Sequence, residues 1–239
     1  MSVSTPQPPS TAAKLPEGFA PRMLSFDVFG TLVNTPPANL GAFRAILADA
    51  GRTDLDPKAF YSFWEQRNIA HYYEPYRTYK EICRLSLSEA YEEFGVAGRD
   101  GAIQRFFDCF AAMELYPDVL PTLEILAHGH KLALVSNIDD DLLAMTPLGR
   151  EFDLICTAER ARGYKPDGAL FRYLLGASGL TVSDILHCGQ SQFTDMVGGK
   201  PLGLTIAWIN RRGLALDPSV PPPDLILPGL QPLCGLLGA

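Results

Sequence analysis

Short apolar runs alternate with amphipathic stretches along most of this 239-residue chain. Residues 23–27, 132–136, 154–157, 185–188 and 205–209 form brief, nearly continuous apolar runs bounded by turn residues, the pattern of strands buried on both faces. Helical patterns separate them, which predicts crossover connections and a mainly parallel sheet, an α/β core of Rossmann-like type. A further strand around 224–227 is expected at one edge, with the Pro-rich residues 217–223 as an extended connector. Between Asn34 and Tyr116 strand-like runs vanish and helical periodicity takes over, predicting helices over 39–50, 57–71, 78–94 and 100–113. In the third of these, Ile82, Leu85, Tyr91 and Phe94 approximate the apolar face. The organisation expected is a mobile N-terminal tail (1–20), a core from 21–35 and 116–239, and an all-helical insert over 36–115.

Aromatic residues crowd the insert: Phe60, Tyr61, Phe63, Trp64, Tyr72, Tyr73, Tyr76 and Tyr79. At helical spacing most of these are expected to pack the insert's interior, with a minority lining a pocket. The composition is 47% hydrophobic, which fits a globular chain with a sizeable core. The net charge of −7 is spread without blocks, so nothing marks a surface for nucleic acid or an anionic membrane, and small-molecule chemistry is the better default. Five cysteines without C-x-x-C spacing read as buried thiols of a reducing compartment. The N-terminal stretch has no charged start followed by an apolar segment, and the location expected is cytoplasmic. His71, His128, His130 and His187 show no metal-ligand spacing and read as ordinary residues.

The chemistry begins at Asp27. An apolar strand runs into this Asp and then breaks at Gly30-Thr31. A carboxylate at the carboxyl end of a buried strand lies where open α/β sheets bind ligands, which makes Asp27 a candidate nucleophile; capping a turn is the other role open to it. Three further segments share this style. Residues 131–137 end a second buried strand in Ser136-Asn137, Tyr164-Lys165-Pro166-Asp167 follows, and residues 187–195 end in Asp195. Each alone also reads as a helix cap, a loop or a first-turn acid.

Taken in order, Asp27-x-x-Gly30-Thr31, Ser136-Asn137, Lys165-Pro166 and the segment ending at Asp195 resemble the four motifs of the haloacid dehalogenase superfamily, over roughly residues 23–212. The resemblance implies that the helical insert is a cap closing over the site. It also implies that Asp27 attacks substrate to form an ester, with Lys165 holding it ionised and Thr31, Ser136 and Asn137 organising the carboxylates. Asp195 would anchor Lys165, position water or ligate a metal. Phe29 stands where phosphatase members carry a second Asp, and phenylalanine cannot act as general acid; halide leaves as a stable anion and needs none. This points to the 2-haloacid dehalogenase branch, acting without cofactor on a small carboxylic acid. A Mg²⁺ held by Asp27, the Phe29 carbonyl and Asp195 is the arrangement expected if the chain is instead a phosphatase.

The chain also departs from that branch. The cap text Trp-Arg-Gln is here Trp64-Glu65-Gln66-Arg67, so Glu65 replaces the halide-holding Arg and Arg67 would have to act from another direction. Phe171 replaces a Tyr, and Gln190 and Gln192 replace Ser and Asn. Phe29, Trp64, Gln66, Arg67 and Gln192 are the residues expected to contact substrate. Glu65 faces a halide badly, and ring-opening of a strained cyclic amino acid of the azetidine-2-carboxylate type, known among relatives, is an alternative reaction. A non-catalytic binding protein on the same scaffold is another reading, and the aromatic cap leaves a homodimer open.

Overall fold

The computed structural model describes residues 14–238. Most of the segment expected to be a mobile tail lies outside the described residues; of the remainder, Leu15 and Phe19 pack against the core. The strands are β1 (Met23–Phe26), β2 (Val33–Asn34), β3 (Glu114–Leu115), β4 (Lys131–Ser136), β5 (Leu154–Thr157), β6 (Ile185–Gly189), β7 (Thr205–Ile209) and β8 (Leu225–Leu227). Six of them form one sheet in the order β5-β4-β1-β6-β7-β8, and every pairing is parallel. Parallel strands must be covered on both faces, and β1, β4 and β6 are accordingly apolar with almost no exposed residue. Burying side chains such as Leu24, Phe26, Leu134 and Leu186 contributes about 1.5–3 kcal/mol each. The chain winds outward from β1 to β4 and β5 on one side and to β6, β7 and β8 on the other. The carboxyl ends of β4, β1 and β6 therefore frame the crevice where such sheets bind ligands.

The helical cap sits between β2 and β3, a two-residue antiparallel pair that brings the outgoing and returning chain side by side. Strands this short leave no periodic trace, so the pattern of residues did not announce them. The cap helices are α1 (Pro36–Asp49), α2 (Pro57–Ala70), α3 (Tyr79–Glu93) and α4 (Gln104–Asp108). Asp56 caps α2 by accepting from the Lys58 and Ala59 amides, and Thr78 with Glu81 forms a capping box on α3. Phe43 lies at the cap's centre, its ring 4.9–6.1 Å from those of Phe60, Tyr61, Trp64 and Phe106.

Several expectations need correction. The helix foreseen over 100–113 shrinks to α4 plus a 3₁₀ turn, Cys109–Ala112, because Gly101 with φ of +78° breaks the helical path at its start. On α3 the expected face holds at Ile82, Tyr91 and the half-buried Phe94 but not at Leu85, which is exposed, and it also takes in Cys83, Ser86, Leu87 and Ala90. Small Ser86 and Ala90 hid that part from a reading based on large apolar residues. Tyr73 is also largely exposed rather than packed. All five cysteines are free, but Cys109 and Cys234 are only partly buried. Among the described residues no helix is long and apolar enough to cross a membrane.

Candidate active site

Asp27 directly follows β1, and its amide donates to the Cys188 carbonyl at 2.9 Å, so the main chain is held to β6 up to this carboxylate. The turn beyond it depends on Gly30, whose φ is +90° and where a Cβ would press on the Gln190 side chain. This turn brings Thr31 back beneath the carboxylate. The Thr31 hydroxyl donates to Asp27 Oδ2 at 2.7 Å and accepts from the Gln190 amide at 2.9 Å.

Lys165 is 1% exposed, and its ammonium makes three hydrogen bonds: to Asp27 Oδ1 (2.9 Å), Asp195 Oδ1 (2.6 Å) and the Val135 carbonyl (2.9 Å). All three of its protons are thereby used. Its backbone is clamped by Asn137, whose Oδ1 accepts from the Lys165 amide at 2.7 Å and whose Nδ2 donates to the Lys165 carbonyl at 2.9 Å. Asn137 thus grips the loop that carries the lysine, a different use from organising a carboxylate. Asp195, fully buried, also receives the Ser191 amide on Oδ2 at 3.0 Å and fits only because Gly189 lacks the Cβ that would occupy its place.

The charges of this group follow from burial and pairing. Burial raises the Asp27 pKa above the usual carboxylate value, the charge of Asp195 adds to the rise, and Lys165 and Thr31 only partly offset it. Lys165 therefore does not hold Asp27 below the ordinary range. Burial acts the same way on Asp195, but Lys165 and His187 outweigh it and its pKa is lowered. Lys165 is pulled down by burial and up, by more, by Asp195 and Asp27.

The same geometry bears on Mg²⁺. The ammonium stands between the two carboxylates, and both Asp195 oxygens are taken by protein donors. As placed, Asp195 has no oxygen without a protein donor to offer a Mg²⁺ beside Asp27 and the Phe29 carbonyl.

A cavity of about 530 Å³ opens over Asp27 between sheet and cap. Phe29, Trp64, Ser136, Asn137 and Lys165 line it, and Glu65 does too. Phe29 meets Phe110 edge-on at 5.2 Å, and Trp64 is anchored by its Nε1 to the Cys83 carbonyl at 3.1 Å. Three expected contact residues are not brought there. Gln66 is exposed on α2 away from the cavity. Arg67 turns to Glu89, with two bonds of 2.7 and 3.1 Å. Gln192 is buried and ties down the 215–217 segment, donating to the Ala215 carbonyl and accepting from the Asp217 amide.

His187 departs from its reading as an ordinary residue. It is fully buried on β6, with Nε2 3.2 Å from Asp195 Oδ1 and Nδ1 2.9 Å from the hydroxyl of Ser25, its neighbour in register on β1. A neutral ring accepting from Ser25 at Nδ1 and donating from Nε2 to Asp195 satisfies all three groups. The order Ser-His-Asp mimics a hydrolytic triad, but Ser25 is fully buried and can meet no substrate. The overlooked signal was a lone polar residue within an apolar strand, which must find a buried partner. His187→Phe should lower stability by about 1–3 kcal/mol, read as a lower urea midpoint, because it leaves Ser25 unpartnered and Asp195 one donor short.

Asp139, the first of three consecutive Asp residues and so inconspicuous in the chain, is buried just beyond Asn137 and reaches the cap. Its two oxygens accept from the Tyr79 and Lys80 amides at 2.8 and 3.0 Å, the first N–H groups of α3. Nearby, Tyr164 stacks on Tyr72 at 4.6 Å and its hydroxyl donates to the Arg77 carbonyl at 2.8 Å.

The sequence profile of the haloacid dehalogenase-like hydrolases matches residues 24–209. (S)-2-haloacid dehalogenase 4A of Burkholderia cepacia is 24% identical over 202 residues, covering 80% of this chain and 84% of that one. Phosphoglycolate phosphatase 1 of Pseudomonas aeruginosa is 26% identical over 198 residues, covering 78% and 68%. Among solved structures, L-2-haloacid dehalogenase from Xanthobacter autotrophicus with chloropropionic acid covalently bound superposes with a TM-score of 0.75 at 19% identity, covering 92% of this chain and 99% of that one. With a parallel sheet, a helical cap and a profile match from β1 to β7, this chain belongs to the haloacid dehalogenase-like hydrolases.

Proposed function

We propose that the protein is a metal-independent hydrolase of the 2-haloacid dehalogenase type, displacing halide from carbon 2 of a short carboxylic acid. The observation that carries this reading is the charge arrangement at Asp27. Asp27 borders the cavity, the fully bonded Lys165 ammonium supplies its countercharge, and Phe29 stands where an acid would be needed to protonate a poorer leaving group. An Asp27 oxygen attacks carbon 2, the carbon–halogen bond breaks, and halide departs with the bonding pair. The resulting ester is hydrolysed by water, which restores Asp27 and yields the 2-hydroxy acid, with one proton released to solvent. Ser136, buried at the end of β4 but bordering the cavity, is the hydroxyl best placed to receive the substrate carboxylate. The relatives named dehalogenases, and the one solved with a covalently bound chloropropionic acid, support the same chemistry.

Chloro-, bromo- and fluoroacetate, the 2-halopropionates and para-nitrophenyl phosphate form the discriminating panel. Halide release should persist after exhaustive EDTA treatment and be unaffected by added Mg²⁺, because Lys165 already supplies the balancing charge. Loss of activity in EDTA, its recovery with Mg²⁺ and useful phosphate-ester hydrolysis would replace this function with that of a phosphatase.

A further inference from the structure

The cavity's cap side has a chemistry of its own. Lys58, Tyr61, Glu65, Ile69 and Tyr72 project into it from α2 and the turn after it at three- and four-residue spacing, so one helical face forms this wall. Within it three side chains are linked in one direction. Asn39 Nδ2 donates to the Tyr61 oxygen at 3.1 Å, and the Tyr61 hydroxyl donates to Glu65 Oε1 at 2.6 Å. Burial first, and the charge of Glu65 next, raise the Tyr61 pKa well above its ordinary value, so the phenol keeps the proton it donates.

This direction leaves acceptors at both ends. Asn39 is 7% exposed, and its Oδ1 is buried without a hydrogen-bond partner among the described residues. Such an oxygen is costly unless a donor arrives. At the other end, Glu65 brings a carboxylate to the cavity with one oxygen engaged by Tyr61. The nearby cation on the same helix, Arg67, is committed to Glu89. A halide or carboxylate against Glu65 meets repulsion; an N–H donor carrying positive charge meets acceptors there and at Asn39. Lys58, seven residues before Glu65 on the same wall, and Arg212, outside it, are cations of the same cavity and give a substrate carboxylate other places to bind.

We propose that the Tyr61–Glu65 wall, backed by Asn39, receives a protonated amino group, making the preferred substrate a short zwitterionic acid rather than a plain haloalkanoate. The proposal rests on the reading of this cavity as the displacement site and adds Glu65 as the residue that sets specificity.

Unreactive ligands separate the two ideas. Calorimetric titration of the full chain with 3-aminopropanoate, 4-aminobutanoate and 5-aminopentanoate, each against the acid lacking the amine, should give at least one pair in which the amino acid binds about fivefold tighter or more. Glu65→Gln, an exposed and nearly isosteric change, should bring that ratio close to one. Equal binding within every pair, or a preference that survives Glu65→Gln, overturns the proposal. Halide release from 2-chlorobutanoate is measured alongside. An enzyme that dechlorinates this acid but ignores the amine refutes only the zwitterion. One that prefers the amine yet releases no halide from any haloacid refutes only the dehalogenase reading.

Discussion

Asp27→Asn, purified and verified by mass as undeamidated, should release halide at least about a thousandfold more slowly than the natural chain. The amide matches the carboxylate in shape and can keep its place near Thr31 and Lys165, but it cannot attack as an anion. Because burial already raises the Asp27 pKa, an ionised Asp27 is held at a cost, and removing its charge should leave the thermal midpoint close to that of the natural chain. Rate loss with an unchanged midpoint identifies the nucleophile. Residual turnover within tenfold of the natural chain would remove Asp27 from that role.

Lys165→Met has the opposite profile, since it damages both stability and rate. It leaves two carboxylates facing each other at a buried site and strips the Val135 carbonyl of its donor. Breaking a buried pair in this way costs about 3–5 kcal/mol. The pH dependence has a definite sign. Turnover requires ionised Asp27, so activity falls as pH drops through the Asp27 pKa, and the raised value places this limb above that of an ordinary carboxylate. Removing the cation that opposes the rise should move the limb to still higher pH. A variant whose limb stays in place, measured on residual activity, would show that Lys165 is not what steadies the charge of Asp27.

The sequence made the sheet and the four candidate site segments legible because each depends on local pattern. Parallel strands are apolar along most of their length, and the break at Gly30-Thr31 follows shortly after β1. What was illegible depends on pairing across the fold. His187 and Asp139 look unremarkable in the chain and acquire their roles only when β6 lies beside β1 and the loop after β4 meets α3. Gln192 and Arg67 failed as cavity residues for the converse reason. Each found a competing partner, the 215–217 segment or Glu89, that no linear reading reveals. Glu65 was visible as a departure, but only the Tyr61 hydroxyl bond shows which way it is held.

The contact between Asp139 and α3 has a consequence for watching the molecule work. Its acceptor belongs to the core and its two donors to the cap, so swinging the cap away bares the Tyr79 and Lys80 amides to solvent. Their exchange with deuterium would therefore report any opening that parts the cap from the loop after β4, and the two backbone protons form a native clock for it.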